Sequence, residues 1–278
     1  MISIAHAANA SALPLPFYQA RRLASPLRRR AAWWLLREGG QDVAALLCYD
    51  LVFRRGEERA AGFGFGSVAT VPEARRRGFA SALCRAVAED AIGRGRPLGL
   101  LFSAIPPALY ERLGFVSLPC HDLCCDDVEA LGASGPHAAL GPIDPLDRLD
   151  LLGRLYDGAR PGWRLERDEA GWRRSVADNA SDVFFVIGRD EGYVRLVDGD
   201  GELEVVELVA ASAAASQGAV RASASMAAGL GRTRLRGWLW PEQVPEGHFV
   251  ELGRGKTLPM MSGLEGDGTG WFVASDYF

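Results

Sequence analysis

Apolar residues recur at every fourth position through Phe79, Leu83, Val87 and Ala91, which is the spacing of one buried helical face. The run Leu98-Gly99-Leu100-Leu101-Phe102 that follows has no polar side chain, as suits a strand covered on both faces. Upstream, Ala32 to Arg37, Val43 to Phe53 and Ala60 to Thr70 read as strands. The last two are joined across Arg54-Arg55-Gly56-Glu57-Glu58, a hairpin turn of four or five polar residues. Phe17 to Leu27 is expected to be a helical lead-in. Trp33 and Trp34 are adjacent and so face opposite sides of their strand; packing is the favoured role, lining an acceptor pocket the other.

The second half repeats this order of elements. Residues 143–157 and 168–178 read as helices. Val183 to Ile187, Gly192 to Val197 and Leu203 to Val209 read as successive strands, the last two joined by Asp198-Gly199-Asp200-Gly201. A helix from Ala213 to Ala228 and a strand from Thr233 to Trp240 complete the parallel; a flexible linker is the other reading of the Ala/Ser-rich helix. At 278 residues the chain exceeds a typical domain of about 100–150 residues. The expected class is α/β (an α+β mixed sheet): two tandem units over 1–130 and 131–240, each a mostly antiparallel mixed sheet flanked by helices, with a tail over 241–278 packing back near the site.

The chemistry concentrates between the third strand and the helix. Val68-Ala69-Thr70-Val71-Pro72-Glu73-Ala74-Arg75-Arg76-Arg77-Gly78-Phe79-Ala80 carries three arginines to a helix amino end. Unpaired amides and the positive end of the helix dipole make such an end an anion site, and Gly78 lets a ligand approach the backbone. A Walker loop would need GxxxxGK before Ser or Thr, and no lysine follows Gly78. Gly62-Phe63-Gly64-Phe65-Gly66 alternates like a strand and lacks the GxGxxG spacing.

What stands is RxxGxA, here Arg75, Gly78 and Ala80, directly after a Val-Ala-Thr strand end; it resembles motif A of the GNAT acetyltransferases. Leu101 to Phe115, with Tyr110-x-x-x-Gly114-Phe115 at its end, resembles motif B of that family. Independently, Pro106 or Pro107 suits a first helical turn and Gly114 a left-handed stop. The resemblance covers roughly residues 60 to 118.

The resemblance implies acetyl-CoA as cosubstrate, with no metal. Its pantetheine arm would lie along the strand end at Val68, Ala69 and Thr70, and its pyrophosphate on the amides of Arg76, Arg77, Gly78, Phe79, Ala80 and Ser81. Arg75, Arg76 or Arg77 would add charge-assisted contacts; which one faces inward is not readable. A primary amine on a small molecule or lysine would be the acceptor. The Val68 amide would stabilise the oxyanion and Tyr110, which holds its proton at neutral pH, would protonate the leaving sulfur. Many relatives carry an acid where this chain has Ala104.

The second half lacks a phosphate turn, since Val209 runs directly into Ala210-Ala211-Ser212-Ala213. Together with Tyr110 and an aromatic carboxyl end, this resembles the enhanced-intracellular-survival (Eis) like acetyltransferases, without their sterol-carrier-like third domain. That resemblance implies a base at the terminal carboxylate, here of Phe278, with Asp276 acting through water as an alternative and simple anchoring of the tail as the other reading.

Composition narrows the rest. The chain is 48% hydrophobic and 24% charged with a net charge of −4, which speaks against nucleic acid, and no apolar run reaches the ~20 residues of a membrane helix. Cys48, Cys84, Cys120, Cys124 and Cys125 are odd in number and core-like, pointing to a reducing, cytoplasmic setting; their spacing around His121 is poor for zinc. Lys256 is the only lysine, so the arginine bias is global, as in a GC-rich bacterial genome, and not a targeting signal. Tandem relatives often assemble, which leaves a homo-oligomer open. The expected function is N-acetyl transfer; the alternative is a non-catalytic acyl-CoA sensor or recruitment protein on the same fold.

Overall fold

The computed structural model describes residues 14–24, 31–158, 162–252 and 258–264, together with residues 270, 272 and 276. Helix α1 (Leu15–Ala24) precedes three strands, β1 (Ala32–Glu38), β2 (Gln41–Arg55) and β3 (Glu58–Thr70). The β2–β3 turn is tighter than its polar composition implied. Gly56 and Glu57 alone separate the strands, because Gly56 adopts φ 58° and Arg55 pairs with Glu58 at 2.6 Å, so these charges extend the ladder instead of ending it. Then come α2 (Phe79–Gly93), β4 (Leu98–Ser103), α3 (Ala108–Glu111), β5 (Val116–Ser117), β6 (Asp122–Cys125), α4 (Val128–Ala133) and β7 (Leu140–Ile143).

The second half supplies α5 (Leu149–Asp157), β8 (Arg164–Leu165), α6 (Glu169–Asp178), β9 (Val183–Ile187), β10 (Gly192–Asp198), β11 (Glu202–Ala210), α7 (Ala213–Gly229), β12 (Arg234–Trp238), β13 (Val250–Glu251) and β14 (Leu258–Ser262). No helix among the described residues is long and apolar enough to cross a membrane.

Two mixed sheets result. The first runs β1-β2-β3-β4-β14-β5, with β8 also on β2; the second runs β13-β6-β12-β11-β10-β9-β7. In each, three antiparallel strands are followed by one parallel pair, β3 with β4 and β11 with β12, crossed over by a helix, α2 or α7. The repeat inferred from hydrophobic patterning is therefore a repeat of topology.

The outer strands are exchanged. Beside β4 lies β14, from the tail, whereas beside β12 lies β6, from the amino-terminal side of residue 130. Each sheet is thus completed by chain that belongs, in sequence, nearer to the other.

The first sheet is covered on both faces. Leu83, Cys84, Val87 and Ala91 of α2 pack on Ala44, Leu46, Phe63, Phe65 and Leu101, with Trp34 on this side. The opposite face carries Leu47, Tyr49, Phe53, Leu100, Trp163 and Phe272, with Trp33, so the two tryptophans do straddle the sheet. In the second sheet, α7 packs closely on its surroundings because it is rich in small residues: a Cβ on Gly218 would lie 2.8 Å from the Ala138 amide nitrogen. The Ala/Ser-rich segment is a buried helix and not a linker.

Candidate active site

Strands β3 and β4 pair from Gly62–Leu98 to Phe65–Leu101 and no further, although β3 continues to Thr70. The cause is a bulge. Leu47 opposes Gly66 and Ala45 opposes Ala69, so Leu46 faces both Ser67 and Val68, and Ser67 takes φ 53°. A bulge bends its strand and increases the local twist, which carries Val68 to Thr70 away from β4. Val71 donates to the Val43 carbonyl at 3.0 Å, so by the strand alternation the peptide groups of Thr70 and Val68 turn to the splayed side. That edge can accept an extended ligand as an added strand.

The chain then enters a 3₁₀ turn at Pro72–Ala74 and reaches α2 through Arg75, Arg76, Arg77 and Gly78. Gly78 is the N-cap at φ 84°, without a side-chain cap, and Arg76 stands at φ 62°. Left-handed residues interspersed in a turn aim successive amides into one concavity. Among the described residues, the amides from Arg76 to Ser81 have no backbone acceptor; the first helical bond is Ala82 to Gly78 at 3.0 Å. The space over Gly78 is open, with no atom within 4 Å of a Cβ built there. Glycine is favoured at this position by its φ.

The three arginines separate. Arg77 pairs with Glu38 at 2.7 Å and lies over the Phe79 ring at 4.8 Å. The Arg75 guanidinium donates to the Thr70 carbonyl at 3.3 Å, bracing the turn against β3. Arg76 is exposed and has no ion pair among the described residues.

Tyr110 sits in α3, which starts after Pro107 and is followed by a turn ending at Gly114, φ 83°. It is buried with Leu83, Cys84 and Phe115, and Val68 and Phe79 pack on the same cluster; its ring meets Phe115 edge-on at 6.3 Å. One cluster therefore joins Tyr110, the splayed end of β3 and the start of α2. Burial pushes the phenol up, with nearby Cys84 adding to it, so Tyr110 stays protonated at neutral pH. Ala104 is exposed just past the end of β4, and Ser103 spends its hydroxyl on the Ile105 carbonyl at 2.8 Å.

Phe278 lies outside the described residues. Asp276 does not suit the role of a base in the first half: its side chain, 1% exposed, pairs with Arg167 at 2.7 Å.

Residues 6–117 match the acetyltransferase (GNAT) domain family. That part of the chain is thus similar to the GNAT acetyltransferases. Solved structures with the same fold include a probable N-acyltransferase from Enterococcus faecalis, at TM-score 0.72 and 15% identity over 94% of this chain and 68% of that one. A GCN5-related N-acetyltransferase from Kribbella flavida aligns at TM-score 0.67 and 22% identity, covering 94% and 67%. Eis1 from Mycobacterium abscessus aligns at TM-score 0.62 and 17% identity, covering 92% and 69%. No curated protein matches the chain significantly. The GNAT match covers the first-sheet strands through β5, and the structural similarity extends over both halves.

The counterpart of the GNAT splay in the second sheet is built alike and then closed. The β11–β12 pairing ends at Val205–Gly237, and a bulge follows at once, since Leu196 opposes Val205 and Arg195 opposes Glu207. Into that gap comes Gln243, 6% exposed, which donates to the Leu208 carbonyl at 3.0 Å and accepts from the Trp240 amide at 2.9 Å. The following helix is self-capped: the Ser212 hydroxyl accepts from the Ala215 amide at 3.1 Å. In the second half the edge is thus met by Gln243, and the Ala215 amide of the helix by Ser212.

Several residues that shape these sites escaped pattern reading. The Ser67 bulge has no side-chain signature. Gln243 lies in a Gly/Pro-flanked segment that reads as loop. Arg195 did leave a signal, as a charge between Val194 and Leu196, whereas Glu207 shares its strand with Glu202 and Glu204 and does not stand out from them.

Proposed function

We propose that this chain is an acetyl-CoA-dependent N-acetyltransferase acting on a primary amine of a small molecule or an exposed lysine. The observation that carries the reading is the row of unsatisfied amides from Arg76 to Ser81 at the open end of a splayed strand pair, which fits a diphosphate followed by an extended amide-bearing arm. The GNAT match supports it. Val68, Ala69 and Thr70 would hold the arm; Arg75, Arg76, Arg77, Gly78, Phe79, Ala80 and Ser81 would hold the diphosphate, with Arg76 supplying the charge. Bound acetyl-CoA supplies an activated thioester. The Val68 amide would stabilise negative charge developing on the carbonyl oxygen, and Tyr110, kept neutral by burial, would hold a proton for the departing sulfur. The Phe278 carboxylate would accept the proton of the amine. The second half would be a GNAT-like unit without a cofactor site, interleaved with the first by strand exchange, in a cytoplasmic protein.

The test is release of free thiol from acetyl-CoA across a panel of primary amines and lysine peptides, beside a direct measurement of acetyl-CoA binding. Amine-dependent release abolished by a change at Gly78 is expected. Tight binding with no turnover on any amine would overturn the catalytic reading in favour of an acyl-CoA sensor.

A further inference from the structure

The segment after α5 is a strap between the two halves. Trp163 is buried under the Arg55 guanidinium at 4.7 Å, Arg164 and Leu165 pair with β2, and Glu166 bonds Val52 through its amide at 2.8 Å and Arg59 through its carboxylate at 2.6 Å. Asp168 then caps α6 on the Gly171 amide at 2.7 Å. Between these two anchorages stands Arg167.

Its guanidinium is stacked between aromatic rings, 4.2 Å from the centre of Tyr156 and 4.8 Å from that of Trp172. Nη1 reaches both carboxylate oxygens of Glu207, at 2.8 and 3.0 Å, and Nη2 reaches Asp276 of the tail at 2.7 Å. Glu207 is held from its other sides by the Tyr193 hydroxyl at 2.7 Å and by Arg195 at 3.9 Å. The charge of Arg167 is therefore met by Glu207 before Asp276 joins. Burying a further carboxylate is costly, and an apolar side chain would anchor a tail at least as firmly. What an ion pair adds is direction and register.

The held segment also reaches the mouth of the splay. Gly270 bridges to Trp163. Phe272 packs edge-on against Phe53 at 6.4 Å and against Phe102 at 6.5 Å. Phe102 is the first residue of β4 beyond its last pair with β3, and it also stacks on Trp238 of β12 at 6.3 Å. Tail and second half thus meet on the strand that forms one lip of the splay.

We infer that Arg167 is a positioning residue, a clamp through which the second half sets the register of the tail against β4 and so the shape of the acceptor side. The effect on turnover rests on the acetyltransferase reading; the clamp itself does not.

The test compares the full chain with Asp276→Asn, Asp276→Glu and Arg167→Lys. Hydrogen exchange at residues 270–276 is expected to speed up at least 10-fold in Asp276→Asn, with residues 202–210 unchanged and partial recovery in Asp276→Glu. For the best amine of the panel, kcat/KM falls about 10-fold through the amine while the acetyl-CoA dissociation constant stays the same. Unchanged exchange at 270–276 in Asp276→Asn overturns the clamp, and so does loss of protection spread over 202–210, the mark of a merely structural pair. Altered exchange with amine kinetics unchanged overturns the positioning role. A wild type that turns over no amine counts against the acetyltransferase reading, and the exchange result still decides the clamp.

Discussion

The two halves contain the same device in two conditions. Each sheet has a parallel pair that stops at a bulge, so that the longer strand swings away and leaves backbone unpaired. In the first half, among the described residues, this edge is left open and is followed by amides with no backbone acceptor from Arg76 to Ser81. In the second half, Gln243 fills the gap by bonding Leu208 and Trp240, and Ser212 caps the helix. Unsatisfied backbone groups are costly once water is excluded, so a splay persists open only where a ligand or solvent satisfies it. A second difference accompanies the first: beyond its bulge, β11 carries Glu207, fully buried between arginines, where β3 has small and apolar residues. On the proposed reading, one splay is arranged for a ligand and the other for the stability and docking of the chain itself.

The largest effect is expected where the second half is most committed. Glu207→Ala leaves Arg167 and Arg195 without their shared carboxylate and should lower stability by about 3–5 kcal/mol, read as a drop in thermal midpoint. Burial alone would raise the Glu207 carboxyl, but Arg167 and Arg195 outweigh it and hold it below its usual value. Its contribution is thus fully present above the unfolded-state pKa of ~4.3 and is lost as pH falls through the lower folded value. The gap in stability between wild type and Glu207→Gln should narrow on acidification; a constant gap would contradict the pairing.

Next is Gly78→Val. The φ of 84° strains a β-branched residue by about 1–3 kcal/mol, and the new side chain occupies the ligand side of the turn. Acetyl-CoA affinity should fall roughly 100-fold, about 2.7 kcal/mol, by calorimetric titration. Equal affinity in this variant would show that the open turn is not the cofactor site.

Gln243→Ala uncovers the second splay. It should cost about 1–3 kcal/mol of stability by leaving the Leu208 carbonyl and the Trp240 amide unpaired. Acetyl-CoA should still bind with a stoichiometry of one per chain, because Ser212 caps α7 on the Ala215 amide and no arginine-rich turn precedes that helix. A stoichiometry of two would break the comparison by showing that the plug was the sole difference between the halves.

The smallest effect separates the arginines. Arg76→Ala should weaken acetyl-CoA binding roughly 5-fold, as loss of one exposed charge-assisted contact. Arg77→Ala should change it by less than about 2-fold, since that side chain is engaged with Glu38. The reverse order would mean that the turn rearranges on binding.

Much of the fold was legible because hydrophobic periodicity reports burial directly. The stripe Phe79, Leu83, Val87 and Ala91 lies on α2, and the strands read at 183–187, 192–197 and 203–209 are β9, β10 and β11. The turn ahead of α2 was legible for a local reason: a positive φ favours glycine, so Gly78 is visible at the start of a helix. The exchange of β14 and β6 was not legible, since strand pairing across more than a hundred residues leaves no mark in either strand. Asp276 read as a candidate base because its partner, Arg167, is remote in sequence.

By itself, then, the amino-acid sequence determined the elements, their repetition and the turn that can hold an anion, all of which depend on residues within a few positions of one another. Which splay stays open, which arginine is left available, how the outer strands are traded and what Arg167 grips were decided by tertiary structure. These outcomes depend on contacts such as Gln243 with Leu208 and Arg167 with Asp276, and a buried polar group takes its meaning from the partner that folding brings to it.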